Sequence, residues 1–560
     1  MAFGLRNAIP SCNLGLASEG DWYSYDRATA SGRRSGSKNT ELHRHKGRRP
    51  IFQSGDNAAL RGLGMLFGSL GELLGGCAKP IATTKSWERA PARFLDGCES
   101  NEPPDHKLKF TRCALPMPLF FHRGARAAWR GDTYTHDRRC ATSARDALLR
   151  MATERLQRGM LPRAHPMPPA AGECCELPVT LPASGIGDAA ALDQLANIAL
   201  EGSAQLHHPG YFAHMDPASA DVACAASLWQ VATNQNLLHP DAAPAARTLE
   251  AQVIDWLAPF FGMRGGHLVP GSTAANLTAL WAAREVAGVR RVIASDRAHN
   301  SLLKAAHLLG LAYESIPSDP RTHRCDAVRA AADGHLGDLS DAAVVHTCGT
   351  VATGAIDVLA RPRGAAWVHV DGAWAAPMRL SPALAPALDG IDDADSVGFS
   401  AHKWLYQPKG CGIVLFREPA AAHAIMSYGG GYLATPTVGL LGSAPASALP
   451  LAATLLAWGR DGISSRLESD VAKAAALAKL VAADHRFELW AAPTTAVVVW
   501  RPRGVSASEV RARLQGAWVS LTVIDDETWF RSVAANPAAD PELVFGRVAQ
   551  AVAAVAGTVG

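Results

Sequence analysis

From Ile186 onward the chain alternates between two spacings of apolar residues. Residues 188–200 and 245–261 repeat apolar positions three and four apart, with Leu249, Val253, Trp256, Leu257 and Phe260 on one face, a spacing that predicts helices. Short continuous apolar runs then alternate with amphipathic stretches. A helix over 273–286 precedes a strand over 291–294, and a helix over 301–309 precedes a strand over 311–316. A helix over 325–332 precedes a strand over 342–346, and strands over 366–370 and 396–400 follow. Such an order predicts an α/β fold with a mostly parallel sheet covered by helices on both faces. One further strand, 410–417, comes so soon after 396–400 that an antiparallel course suits it.

After about residue 445 the pattern changes to two alanine-rich helices (447–458 and 463–483), a strand over 495–500 and a helix near 506–514. A strand over 521–524 and a final helix over 541–556 complete it. The expected organisation is therefore a helical segment over 186–240, a large domain over 241–444 and a smaller α/β domain over 445–560. Residues 1–160 read differently. They lack sustained periodicity, and the first 150 hold 24 Lys/Arg against 14 Asp/Glu. With so little contiguous apolar surface to offset chain entropy, they are expected to be either a disordered basic extension or an over-extended start ahead of Met151 or Met160.

The whole chain has 560 residues, 48% of them apolar, enough for a large core, and a net charge of +3. Without its basic first part the chain is net acidic, so no nucleic-acid partner is expected. Its 11 cysteines include no CxxC pair and no zinc-finger spacing, so no metal site is expected, and a reducing cytoplasm is the simplest compartment. No run approaches the roughly 18 apolar residues of a membrane span.

Ligands of an open α/β sheet sit at the carboxyl ends of its strands, and five features fall there in order. Gly271-Ser272-Thr273 opens a helix, where amides and hydroxyls either hold a phosphate or simply cap it. His299 follows the 291–294 strand and offers a ring that can stack and move protons; the plain alternative is a surface histidine. Gly349-Thr350 gives either a close approach for a ring or an ordinary turn. Asp371 ends Trp367-Val-His-Val, where a carboxylate must be paired, with the small Ala373 two residues on. Lys403 follows Phe399-Ser-Ala-His402. A buried lysine to form a Schiff base and a carboxylate to keep a pyridine nitrogen protonated are what pyridoxal phosphate (PLP) requires.

From about His207 onward the chain resembles the group II PLP-dependent amino-acid decarboxylases, the family of glutamate, aromatic-amino-acid and diaminobutyrate decarboxylases. The resemblance rests on His208-Pro-Gly-Tyr-Phe, Gly271-Ser-Thr-Ala-Ala-Asn276, Ser295-Asp-Arg-Ala-His299-Asn-Ser, His369-Val-Asp371-Gly-Ala373-Trp and His402-Lys403-Trp404. It implies the aspartate-aminotransferase-like fold (type I), PLP as cofactor, a homodimer, and decarboxylation of an L-amino acid to the amine and CO2. It also implies that Lys403 carries the cofactor, Asp371 pairs with its ring nitrogen, and His299 stacks on the ring. Ser272 and Thr273 then hold the phosphate, and Thr350, Ala373 and His402 line the cofactor. The family's loop tyrosine, a proton donor, corresponds to Tyr432, with Tyr428 as rival. Arg531, in Trp529-Phe530-Arg531, matches an arginine that meets a substrate carboxylate in glutamate decarboxylases. The chain departs from the usual phosphate loop at Ser272 and Ala274, and has Ser400-Ala401 where Asp-Pro or Asn-Pro is common. The alternatives are another PLP lyase or an aminotransferase on the same scaffold, or a silent homologue acting as a binding subunit.

Overall fold

The computed structural model describes residues 138–168, 177–431, 433–434 and 437–557. In chain order the first elements are helices α1 (Arg138–Gly159), α2 (Asp188–Ala196), α3 (Asp221–Thr233) and α4 (Pro244–Leu257), then strand β1 (Gly265–Val269). Helix α5 (Ser272–Ala287), β2 (Arg291–Ser295), α6 (Asn300–Leu309), β3 (Ala312–Ile316), α7 (Ala327–Ala332) and β4 (Ala342–Thr347) follow. Next come β5 (Trp367–Asp371), β6 (Ser396–Phe399), β7 (Gly412–Phe416), α8 (Pro419–Ile425), β8 (Ser427–Tyr428) and β9 (Thr437–Val438). The chain ends with α9 (Ala448–Ala483), β10 (Phe487–Leu489), β11 (Val497–Pro502), α10 (Ala507–Ala512), β12 (Ser520–Ile524), β13 (Glu527–Val533) and α11 (Pro541–Ala556).

Seven strands form the main sheet in the order β1-β7-β6-β5-β4-β2-β3. Strands β6, β5, β4, β2 and β3 run parallel, and β7 lies antiparallel between β6 and β1, the course its closeness to Lys403 suggested. Every residue of β4, β5, β6 and β7 is buried, which is why these strands read as continuous apolar runs rather than alternating ones. Their side chains nevertheless divide by parity. Ile413 and Leu415 enter one apolar cluster with α3, α4 and α9, whereas Val414 and Phe416 enter another with α5 and α6. The sheet is thus covered on both faces, as expected.

A second, antiparallel sheet has the order β10-β11-β13-β12, and its Trp500, Phe530 and the α11 residue Val548 belong to the same cluster as Phe399 and Trp404. Strands β1, β10 and β13 go beyond the sequence expectation. The two expected alanine-rich helices are both present, as the two parts of α9, and meet at a kink at the non-helical Gly459 (φ 58°, ψ −175°). Helix α1 corrects the reading of residues 1–160 in part: Arg138–Gly159 is helical although its apolar residues are sparse among charged ones. The remainder of that segment lies outside the described residues, as does Tyr432. Among the described residues no helix is long and apolar enough to cross a membrane.

Candidate active site

Parallel pairing brings the strand ends together. Thr347 of β4 pairs with Asp371 of β5, and Asp371 pairs with Gly398 of β6, so Asp371 sits between its neighbours' carboxyl ends. Lys403 emerges four residues after β6, in a turn held by Lys403 N donating to Ser400 O at 3.1 Å. On the neighbouring side, Gly271 (φ +121°) starts α5. Gly412 of β7 packs so closely there that a Cβ on it would lie 2.5 Å from Gly271 Cα. Ser272 N donates to Ser400 Oγ (3.2 Å), whose hydroxyl bonds Ser272 Oγ (2.9 Å), and Thr273 is exposed beside them. The amino end of a 16-residue helix, with the hydroxyls of Ser272, Thr273 and Ser400 gathered at it, offers a seat for an anion.

Behind Asp371 runs a hydrogen-bond relay. Trp367 Nε1 donates to Ser396 Oγ (2.9 Å), which reaches His369 Nδ1 (2.9 Å); His369 Nε2 in turn donates to Asn276 Oδ1 (3.1 Å). Asn276 Nδ2 donates to Asp371 Oδ2 and Ser301 Oγ, both at 2.9 Å. Ser301 then offers its amide (3.1 Å) and hydroxyl (2.8 Å) to His299 Nδ1. With Nδ1 accepting, a neutral His299 carries its proton on Nε2. Burial, with Lys403 and Lys304 nearby, lowers the affinity of His299 for a second proton, against the opposing pull of Asp371. The second oxygen of Asp371 accepts from Ala373 N (3.1 Å), so the buried carboxylate is held on both sides. His369 is therefore not merely a packed core residue: it orients Asn276.

Burial lowers the pKa of the Lys403 amine, Asp371 and Asp216 raise it, and Lys409 and Arg531 lower it again. A depressed ammonium is what a nucleophilic lysine needs. His402 donates from Nδ1 to Cys411 O (2.9 Å), and its ring edge faces Gly271, where a Cβ would lie 3.1 Å from Cε1. Burial, foremost, pushes its pKa down to about 4. Half-buried Ala373 leaves a small face near Asp371. Thr350 is different: its hydroxyl accepts from Ala355 N (3.1 Å) and pairs with Thr353 Oγ1 (3.0 Å), closing its own turn.

Arg531, on β13, reaches across to the same turn. It donates to Val351 O (3.1 Å) and Ser520 Oγ (3.2 Å), and lies 3.3 Å from His214 Nδ1. Tyr428 stacks on Trp281 of α5 (6.2 Å between centroids, 24° between planes). Nine residues separate Trp281 from Ser272, about 13 Å along the helix. Sequence reasoning assigned no role to Asn276, Ser301, Ser400, His214, or the Asp216–Lys409 ion pair near Lys403. For Asn276 a signal existed: it lies one turn after Ser272, on the same face of α5.

A family described as the pyridoxal-dependent decarboxylase conserved domain matches residues 178–503. The chain belongs to that family. Its pattern of motifs, PLP cofactor and reaction, the decarboxylation of an amino acid, follow with it. Among similar proteins, the L-2,4-diaminobutyrate decarboxylase of Rhizobium meliloti is 30% identical over 411 residues, covering 65% of this chain and 81% of that protein. The aspartate 1-decarboxylase of Aliivibrio fischeri is 29% identical over 375 residues, covering 57% and 68%. The crystal structure of Oryza sativa TDC with PLP and tryptamine has a TM-score of 0.66 at 24% identity, covering 77% of this chain and all of that one. This decarboxylase therefore has the fold expected of it, and its residues fit the cofactor. The α5 cradle, stripped of side chains by Gly271 and Gly412, suits a phosphate; the paired Asp371 and the depressed Lys403 suit a pyridinium and an aldehyde.

Proposed function

We propose that this decarboxylase acts on an L-amino acid with a carboxylate-bearing side chain, and that Arg531 receives that side chain. The observation behind this is a guanidinium placed beside the Thr350 turn, close enough to influence the Lys403 amine. The argument is one of charge. A carboxylate leaving as CO2 gives up its charge, so a cation bound to it favours the ground state and opposes the reaction. Arg531 aids turnover only when it holds the other, distal carboxylate.

In this reading Lys403 holds the cofactor and Ser272 and Thr273 anchor its phosphate, with Thr350, Ala373 and His402 lining it. Asp371, fixed by Asn276 and Ala373 N, keeps the ring nitrogen protonated. When bound, the cofactor supplies the sink for the electron pair that CO2 leaves behind. His299 would stack on the cofactor ring and, with its proton on Nε2, would serve as a proton donor, alongside or in place of Tyr432. A division into a large domain over 241–444 and a small one over 445–560 places Arg531 on the small domain. We also read the enzyme as a cytoplasmic homodimer. Cys325, Cys348 and Cys411 are buried thiols without disulfides, which suits a reducing compartment. Leu228, Trp229 and Val231 of α3 are largely exposed, an apolar surface that suits a partner subunit.

A second reading, an amino-bearing side chain, is favoured by Asp216, a carboxylate near Lys403. One experiment separates them. The PLP-loaded enzyme is incubated with L-aspartate, L-glutamate, L-2,4-diaminobutyrate, L-tyrosine and L-tryptophan while CO2, amine and keto acid are measured. We expect CO2 and amine from a dicarboxylic substrate, and none with Lys403→Ala. Preference for the diamino substrate would favour the second reading.

A further inference from the structure

The turn that carries Lys403 is held from beneath by one buried carboxylate. Asp470, on α9, is 1% exposed. Its Oδ2 accepts from Trp404 Nε1 at 3.0 Å and from Tyr406 Oη, and Lys473 lies 3.6 Å from its Oδ1. Both donors lie within three residues of Lys403, one on the adjacent residue.

Tyr406 needs such a hold. It is a non-glycine residue at φ +57°, in the left-handed region that L side chains disfavour, and it is 2% exposed. Its carbonyl accepts from Ala220 N (2.8 Å) and its amide donates to Lys403 O (3.1 Å). The backbone of Lys403 is thus tied to a strained residue whose side chain ends on Asp470.

Trp404 extends the connection to the other half of the site. Its indole stacks on Trp374 at 4.3 Å with 5° between planes. Trp374 follows Asp371 by three residues and packs so tightly on Gly349 that a Cβ there would lie 2.8 Å from Trp374 Cδ1. An unbroken run of contacts therefore joins Asp470, the Lys403 turn, the Asp371 turn and the turn before Thr350. Lys473, the cation beside Asp470, also donates to Asn536 O (3.2 Å) and Pro537 O (2.6 Å), a few residues beyond Arg531.

We propose that Asp470 is a positioning residue for the decarboxylation, fixing the register between Lys403 and Asp371 through Trp404 and Tyr406. It touches neither substrate nor cofactor. The inference rests on Lys403 as the cofactor-holding lysine. If Asp470 is lost, the Trp404 indole is free to leave Trp374 and the Tyr406 strain relaxes, which moves Lys403 relative to Asp371. Displacements on the order of 1 Å cost roughly a hundredfold in rate.

The test uses the full chain with PLP and compares Asp470→Ala, Asp470→Asn, Tyr406→Phe and Lys403→Ala. Two signals need no turnover: the near-ultraviolet circular dichroism of the stacked Trp374–Trp404 pair, and the rate at which the lysine–cofactor absorbance appears on adding PLP. Asp470→Ala is expected to lose the indole signal, slow cofactor capture, and lower kcat per loaded site by roughly a hundredfold with KM within about threefold. Asp470→Asn keeps an acceptor oxygen and is expected to recover at least tenfold of that loss. Should the alanine variant fail to fold, Tyr406→Phe decides, with an expected fall in kcat of about tenfold. Unchanged kcat and capture rate in the variant that folds would overturn the inference, as would Asp470→Asn behaving like alanine. An absorbance band that survives Lys403→Ala would instead unseat Lys403 as the cofactor lysine, a separate failure.

Discussion

Gly412→Ala tests the phosphate seat most directly. The added methyl carbon would lie 2.5, 2.7 and 2.8 Å from Cα, C and N of Gly271. Non-bonded carbon atoms rest at about 3.5–4.0 Å, so the Gly271 backbone has to retreat by about 1 Å. Strand β7 cannot yield instead, because Gly412 pairs with Val269 of β1 and the next residue, Ile413, with Phe399 of β6. The displacement therefore falls on the turn that begins α5, where the cofactor phosphate would be held in the proposed reading. Charge-assisted bonds are confined to about 2.7–2.9 Å, and a shift of 1 Å removes most of their benefit. PLP affinity should fall by roughly 10- to 100-fold, equivalent to about 1.4–2.7 kcal/mol. The control is Gly410→Ala. Gly410, unlike Gly412, has a positive φ (+89°) and meets no atom within 4 Å, so its cost is strain of about 1 kcal/mol without movement of Gly271. PLP titration of the cofactor-free protein, followed by absorbance, gives the two dissociation constants, and urea unfolding gives the two stabilities. The expected pattern is loss of stability in both and loss of affinity in Gly412→Ala only. Wild-type affinity in Gly412→Ala, or equal loss in both, would refute the seat.

Arg531→Met should raise KM for a dicarboxylic substrate by roughly 30- to 100-fold, the value of about 2–3 kcal/mol for a hydrogen-bonded charge pair, and change kcat less. Steady-state kinetics with an unchanged KM would remove Arg531 from the substrate site. A pH prediction follows from His346 and His369, fully buried histidines that burial pushes down to about 4. Because the folded pKa lies below the ordinary 6.5, the unfolded chain takes up protons first as pH falls. Stability should be complete above about pH 6.5 and decline toward pH 4, by at most about 3 kcal/mol for one such group. His369→Gln can still donate to Asn276, and its urea midpoint should fall less steeply over that window; an unchanged slope would contradict the assignment.

What the sequence made legible was local. Asp371 ends its strand, Lys403 follows its own by four residues, and Ser272 and His299 sit at helix starts, so their positions could be read from adjacent letters. The edge strand β1 could not, because Gly265-Gly266 has poor strand propensity; the glycine at 266 is required by the close passage of Val414 of β7. Strand β10 is only three residues long, and in β13 Trp529 and Phe530 are both buried in succession, which breaks the alternation of a one-sided strand. The sequence of α1, with few apolar residues scattered among charged ones, hid a helix inside a segment that otherwise lacks periodicity.

The positions that hold the site in register were hidden for a different reason. Asn276 supports Asp371 from α5, on one face of the sheet, and Asp470 supports the Lys403 turn from α9, on the other. In sequence, Asp470 and Lys473 have the i, i+3 spacing of an ordinary exposed helix pair. Only the packing of α9 onto the turn buries the carboxylate and gives it Trp404 and Tyr406 as donors. Strand order thus decides which side chains meet, but the distance between the amine and the carboxylate is set by two helices that approach from opposite sides. Errors introduced from the two sides need not cancel. A double variant of Asn276 and Asp470 should therefore lose activity beyond either single loss, although the two residues lie on separate faces and share no contact.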